Sequence, residues 1–244
     1  MTLSTSWQER YIARFYDRER GWIDGTTEFY DLCSATIPPA SRILEVGGGP
    51  SNKTSRFLAG LGEVHGVDLD PAVLTNDALA SAEVLIEDDF PYAAESFDAC
   101  VSSFVIEHVA VPVLHLRQVQ RVLKPGAPYI IRTPNVNHFV YRISSLTPHA
   151  FHRTVANRLR NLPPDAHDPY PTVYGMNSAR KIFALAGATG FSVDVLRIIE
   201  KNPAYGMSSR TLFLLFMAYE RTVNSTEHLA RFRATILSVL RREP

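Results

Sequence analysis

Cysteine is scarce in this 244-residue chain: Cys33 and Cys100 are the only two, and both stand among apolar neighbours. A small domain built on disulfides is thereby excluded, and two buried, reduced thiols are the expectation. Excess charge is missing as well, since 25 basic residues face 25 acidic ones. Dedicated nucleic-acid binders are as a rule basic overall, so the balance speaks against that class of partner. No hydrophobic run is long. The longest, Leu212 to Tyr219 (LFLLFMAY), falls well short of the roughly 20 residues of a spanning helix and reads as a buried helix face. The opening MTLSTSWQERYIARFYDRERGW has no apolar export core. A cytoplasmic protein without stable membrane insertion is therefore expected. Repeats and low-complexity tracts are missing too. An apolar fraction of 45% with 20% charged residues excludes a disordered chain.

What is present is an alternation of short apolar runs and helical patterns. Trp7, Tyr11, Phe15, Phe29, Leu32 and Cys33 recur at helical spacing, giving one or two helices over 1–36, interrupted at Gly21 and Gly25. Strands are predicted at Arg42–Val46, Glu63–Val67, Val84–Ile86, Phe97–Ser103 and Tyr129–Thr133. Helices are predicted between them over 52–60, 71–80 and 111–123, the second opened by Pro71 and the third stopped by Lys124-Pro125-Gly126. Such alternation predicts an α/β fold, a doubly wound, mostly parallel sheet with helices on both faces. The rhythm breaks over the proline-rich stretch 134–177, too long for an ordinary connection and read as a lid-like insertion of helix and loop. It resumes with a helix near 178–188 and a strand near 192–199, and the tail over 209–242 reads as helical.

The chemistry gathers at RILEVGGGPSNKTS, residues 42–55, a strand running into glycines and then a helix. Glycines let backbone N–H groups approach a ligand, and a helix N-terminus favours negative charge. A dinucleotide fingerprint wants a third glycine that is missing here. A phosphate loop wants glycine where Asn52 stands, although Lys53 and Thr54 follow in the right places. Glu45 ends the first strand and Asp68 the second, roughly 20 residues beyond the first glycine, where an acid accepts hydrogen bonds from ribose hydroxyls. Asp68 also fits as a cap for the helix after it. An acidic group, Glu87, Asp88 and Asp89, then follows the third strand, and Asp98 reads as structural.

These motifs, in order, resemble those of class I S-adenosylmethionine-dependent methyltransferases. The residues that carry the resemblance are LEVGGGP, the acidic end of VHGVD, IEDDFPYAAESFD, SSFVIEHV and RVLKPGAPYIIRTPN, covering about 40–135, with weaker support from AGATGF. The resemblance implies a Rossmann-like sheet of six or seven strands, six if residues 211–219 are helix rather than the family's last, antiparallel strand. It implies S-adenosyl-L-methionine as cofactor, held by Glu45, Gly47, Gly49, Asp68, Leu69, Asp88, Asp89 and Phe104, with Asp88 favoured on the adenine side. The family's usual third glycine is Ser51 here, preceded by Pro50. One methyltransferase domain over 1–244 is expected, with N-terminal helices in 1–36, a cofactor core in 40–135, the lid in 134–177 and the C-terminal helices and strand in 178–244.

For the acceptor, His108 in IEHV stands where a general base is useful. Between Pro134 and Pro164 the chain carries Arg142, Arg153, Arg158 and Arg160 with His138, His149 and His152, and no Asp or Glu. His138, Arg142, His149, His152 and Arg153 are the acceptor-binding candidates, for a small-molecule acceptor that is anionic or saccharide-like. TPNVNHF and DPYPTVYGMN also resemble a bacterial subgroup associated with saccharide assembly. No metal is expected, since His167 and the other histidines lack ligand spacing. A homodimer is left open. Two further readings stay open: a nucleotide-binding protein using Lys53 and Thr54, and a non-catalytic S-adenosylmethionine-binding protein.

Overall fold

Polar caps mark where the helices begin. Ser6 and Glu9 close a reciprocal capping box on the first helix, and Asn52, Ser178 and Ser209 each accept a backbone N–H at the start of a later one. Pro112 opens another, where its missing N–H costs nothing. The computed structural model describes residues 6–86, 89–145, 171–201, 203 and 206–244. In chain order these form α1 (Trp7–Phe15), α2 (Gly25–Thr36), β1 (Ser41–Val46), α3 (Lys53–Ala59), β2 (Gly62–Asp68), β3 (Ser81–Val84), β4 (Ala99–Ser103), α4 (Pro112–Val122), β5 (Pro128–Pro134), α5 (Phe139–Ser145), α6 (Ala179–Ala188), β6 (Phe191–Ile199), α7 (Arg210–Asn224) and β7 (Thr235–Arg242).

The strands form one seven-stranded sheet in the order β3-β2-β1-β4-β5-β7-β6. The pairs β1–β2, β2–β3, β1–β4 and β4–β5 are parallel, with Ile43 opposite both Val64 and Ala99, while β5–β7 is antiparallel. This is the Rossmann-like fold. Ile43, Leu44, Val101, Ile130 and Ile131 are fully buried, as expected of parallel strands covered on both faces. The order reverses between β1 and β4, and the crevice at the carboxyl ends of those strands is where such sheets take ligands.

Three expectations are corrected. The tail is helical in α7 and in a 3₁₀ segment, Glu227–Phe232, but not to its end. Residues 235–242 are β7, which enters between β5 and β6 and makes the sheet seven-stranded. Its buried positions run consecutively from Ile236 to Leu240, so no period-2 alternation marked it as a strand. The helix expected over 71–80 is a short 3₁₀ segment, Pro71–Thr75, because the Asn76 side chain turns inward. The third strand is Ser81–Val84 rather than 84–86, its four residues paired in parallel with His65–Asp68 of β2.

The described chain divides into two compact units. One holds Phe29–Val136, Thr172–Arg197 and Thr235–Pro244, and with them most of the sheet. The other holds residues up to Glu28, Asn137–Pro171 and Ile198–Ala234. The latter is helical and aromatic. Trp7, Tyr11 and Phe15 line one face of α1 and meet the buried Phe213 ring, while Tyr16 O–H donates to buried Glu220 at 3.1 Å. Among the described residues no helix is long and apolar enough to cross a membrane.

Candidate functional site: the glycine turn and the carboxyl ends of β1, β2 and β4

The turn after β1 is built by backbone geometry. Gly47 and Gly49 both lie at positive φ, +77° and +49°, which side chains resist. The Gly47 and Gly48 N–H groups both reach the Val67 carbonyl, extending the β1–β2 pairing by a turn. A Cβ on Gly47 would overlap Val105 Cγ2, so this glycine lets the turn lie directly on the loop after β4. A Cβ on Gly49 would meet nothing nearer than Asp68 Oδ2 at 4.0 Å. That is a cradle open to a ligand.

Asp68 closes the arrangement from β2. Its Oδ2 accepts Gly49 N–H and its Oδ1 accepts Asp70 N–H, each at 2.9 Å. Both oxygens are aimed by backbone donors, and each keeps a lone pair for a ligand hydroxyl. The cap of the following 3₁₀ segment is Asp70, through Ala72 N–H, so Asp68 is not needed there. Leu69 beside it is exposed.

Asn52 stands where a phosphate loop has glycine. Its Oδ1 caps α3 through Thr54 N–H and Ser55 N–H, and its Nδ2 donates to the Gly48 carbonyl at 2.7 Å. The Thr54 hydroxyl lies 3.2 Å from Tyr30 Oη, and Lys53 is exposed. The loop is therefore closed by an asparagine cap rather than opened around a phosphate. Glu45 is 4% exposed. Burial, with the charge of Asp68, pushes its carboxyl up to about 7, against a lowering hydrogen bond from Ser55. Its Oε2 has no hydrogen-bond partner among the described residues.

Comparison with known proteins agrees with this geometry. Residues 44–131 match the family described as methyltransferase domain. An uncharacterized methyltransferase of Mycolicibacterium vanbaalenii is 37% identical over 90 residues, 34% of this chain and 35% of that one. A ubiquinone biosynthesis O-methyltransferase of Hahella chejuensis is 27% identical over 146 residues, 52% of this chain and 61% of that one. Among solved structures, an S-adenosylmethionine-dependent methyltransferase of Methanosarcina mazei superposes with a TM-score of 0.56 at 15% identity, over 87% of this chain and 97% of that one. Over residues 44–131 the chain is similar to the methyltransferase domain family, and it shares its fold with S-adenosylmethionine-dependent methyltransferases of known structure. Its matches span about a third to a half of the first curated relatives' length, 35%, 41% and 52%. The family's cofactor, S-adenosylmethionine, fits the residues present: an open cradle at Gly49, an aimed carboxylate at Asp68 and a buried acid oxygen at Glu45 with no described partner.

The other candidate residues fall in several places. Asp88 and Glu87 lie outside the described residues. Asp89 is exposed and takes a long hydrogen bond from Gln118 at 3.4 Å. Asp98 is structural, accepting Arg42 N–H at 2.9 Å and the Lys124 ammonium at 2.6 Å. Phe104 stands at φ +59°, 41% exposed as a residue, with the Arg132 guanidinium 4.6 Å from its ring centroid. His108 ends a 3₁₀ turn, Ile106–His108, and is half-buried.

Beside His108 the structure brings forward a residue that the sequence reading passed over. Glu107 is buried, its carboxyl is pushed up to about 7 by that burial, and it accepts the Thr133 hydroxyl at 3.0 Å. Asn177 Nδ2 in turn donates to Thr133 Oγ1 at 2.6 Å. A carboxylate inside the apolar run FVIEHV was the available sign. In the helical unit, His138 is buried against Phe139 and Tyr219, 3.5 Å from Glu200 Oε2, and burial lowers it to about 4. Arg142 is exposed on α5. His149, His152, Arg153, Arg158, Arg160 and His167 lie outside the described residues. Among the described residues no cluster of His, Cys, Asp or Glu is arranged to hold a metal.

Proposed function

We propose that this methyltransferase moves the methyl group of S-adenosylmethionine to an oxygen of a small-molecule acceptor bearing negative charge, of saccharide or related type. When bound, the cofactor supplies a methyl already activated on a sulfonium, so the protein's task is placement. Asp68 takes the ribose hydroxyls on the lone pairs that Gly49 and Asp70 leave free. The Gly47–Gly49 turn lets backbone approach the cofactor, and Glu45 lies beneath it as a buried acid. Phe104 and the acids after β3 complete the cofactor contacts in this reading. His108, at the exit of β4, takes the acceptor's hydroxyl proton.

Support for an oxygen acceptor comes from the ubiquinone O-methyltransferase among the relatives. The acceptor's charge is argued from Arg142, Arg153, Arg158 and Arg160, a basic run without acids between Pro134 and Pro164. The observation that carries the cofactor reading is the pair of backbone N–H groups fixing Asp68. Calorimetric titration with S-adenosylmethionine, S-adenosylhomocysteine and ATP tests it. Binding of the first two and not of ATP is expected. ATP binding with no response to S-adenosylhomocysteine would return the chain to the nucleotide-binding class.

A further inference from the structure

The family's third glycine is replaced by Ser51, preceded by Pro50, yet the turn is tightly held. Two asparagine amides hold it. Asn76, buried just past the 3₁₀ segment Pro71–Thr75, sends Nδ2 toward the Gly48 carbonyl at 3.0 Å, the Gly49 carbonyl at 3.2 Å and Ser55 Oγ at 2.9 Å. Asn52 Nδ2 reaches the same Gly48 carbonyl at 2.7 Å and the same Ser55 Oγ at 2.8 Å.

The Gly48 carbonyl and the Gly49 N–H belong to one planar peptide, so they point in opposite directions. The carbonyl end is held by Asn76 and Asn52, and the N–H end is held by Asp68. Turning that peptide would break both ends together. The Ser55 hydroxyl is a hub. With two amide donors on its lone pairs, its single proton is left for Glu45, to which it hydrogen-bonds.

Resting on the methyltransferase reading above, we infer that Asn76 is a positioning residue for the cofactor turn, acting through the Gly48 carbonyl and the Ser55 hydroxyl. It sets the peptide that aims Asp68, and it leaves the Ser55 proton directed at Glu45. Among the described residues the titratable groups facing Glu45 are Asp68 from β2 and Cys33 from α2, and Ser55 from α3 is its hydrogen-bond donor. Removing that donor raises the pH at which Glu45 ionises.

The test uses the full chain, with S-adenosylhomocysteine and S-adenosylmethionine as probes and circular dichroism as the check of folding. Asn76→Leu is close in size and cannot donate. It is expected to weaken S-adenosylhomocysteine about ten-fold, the scale of one lost orienting hydrogen bond in a buried site. Ser55→Ala removes only a hydroxyl. Affinity for cationic S-adenosylmethionine should rise with pH as Glu45 ionises, and in Ser55→Ala the midpoint of that rise should lie higher than in wild type. The cofactor's own amine titrates alike in both proteins, so the difference isolates Glu45. A folded Asn76→Leu protein that binds within two-fold of wild type overturns the inference. So does an unmoved midpoint in Ser55→Ala, which stands even if Asn76→Leu fails to fold. If wild type itself ignores S-adenosylhomocysteine, the methyltransferase reading falls, and this inference falls with it.

Discussion

A carboxylate that already accepts two backbone N–H groups has little rotational freedom left, and Asp68 brings that rigidity to the proposed cofactor site. Asp68→Ala should weaken S-adenosylhomocysteine by at least about ten-fold, since charged hydrogen bonds contribute roughly 1.5–3 kcal/mol each. Calorimetry reads this directly. The melting temperature should fall by only a few degrees, because Gly49 N–H and Asp70 N–H lose their acceptor at a partly solvated edge. Gly47 is constrained differently. Its φ of +77° and the overlap of any Cβ with Val105 act together. Gly47→Ala should destabilise the fold by about 2–4 kcal/mol, combining left-handed backbone strain with overpacking. Adding Val105→Ala should recover part of that loss, because it removes the overlap and leaves the backbone strain. Chemical denaturation of the single and double variants would show it, and purely additive losses would place the strain elsewhere.

At the scale of elements, the sheet depends on a strand from the far end of the chain. β7 pairs with β5 from Pro128↔Arg241 to Pro134↔Thr235, so the strand carrying Arg132 and Thr133 has its second edge covered only by the last residues. Leu237 and Leu240 are fully buried there. Leu240→Ala should cost about 2–5 kcal/mol, the usual range for a buried leucine cavity, and the loss should appear as a lower denaturant midpoint with cofactor affinity in the folded protein preserved. A change within about 0.5 kcal/mol, the scale of surface substitutions, would mean that β7 is not packed as described.

Across the molecule, several ionisable groups are buried neutral. Burial raises Glu45 and Glu107 to about 7 and Glu200 to about 8 from an ordinary 4.5. A raised acid contributes its full stability below 4.5 and loses it as pH climbs through about 7 to 8. His138 is lowered from 6.5 to about 4, so its contribution is complete above 6.5 and is lost as pH falls through about 4. Three acids outweigh one histidine between pH 4.5 and 6.5, so these groups place the peak of the melting temperature near about pH 4.5 and a fall from there to about pH 8. Glu200→Gln, neutral at every pH, should flatten the alkaline limb. A wild-type profile that rises from about pH 6 to about pH 9 would contradict the neutral burial of these acids.

The sequence by itself determined β1, β2, β4 and β5 and the glycine turn after β1. Glu45, Gly47, Gly49 and Asp68 lie on neighbouring strand–turn–helix segments, whose hydrophobic runs, glycines and strand-end acid are local patterns that composition along the chain displays. Asn76, Glu107 and Asn177 carried no such pattern. An asparagine after a short 3₁₀ turn or a glutamate in an apolar run acquires its role only when distant backbone and hydroxyl groups are folded against it, as Gly48 is against Asn76 and Thr133 against Glu107. β7 was hidden for the same kind of reason. A strand buried on both faces has no alternation to read, and its partner, β5, lies about a hundred residues earlier. Only tertiary structure decided these, because buried polar groups and central strands are selected by long-range partners and not by their neighbours in sequence.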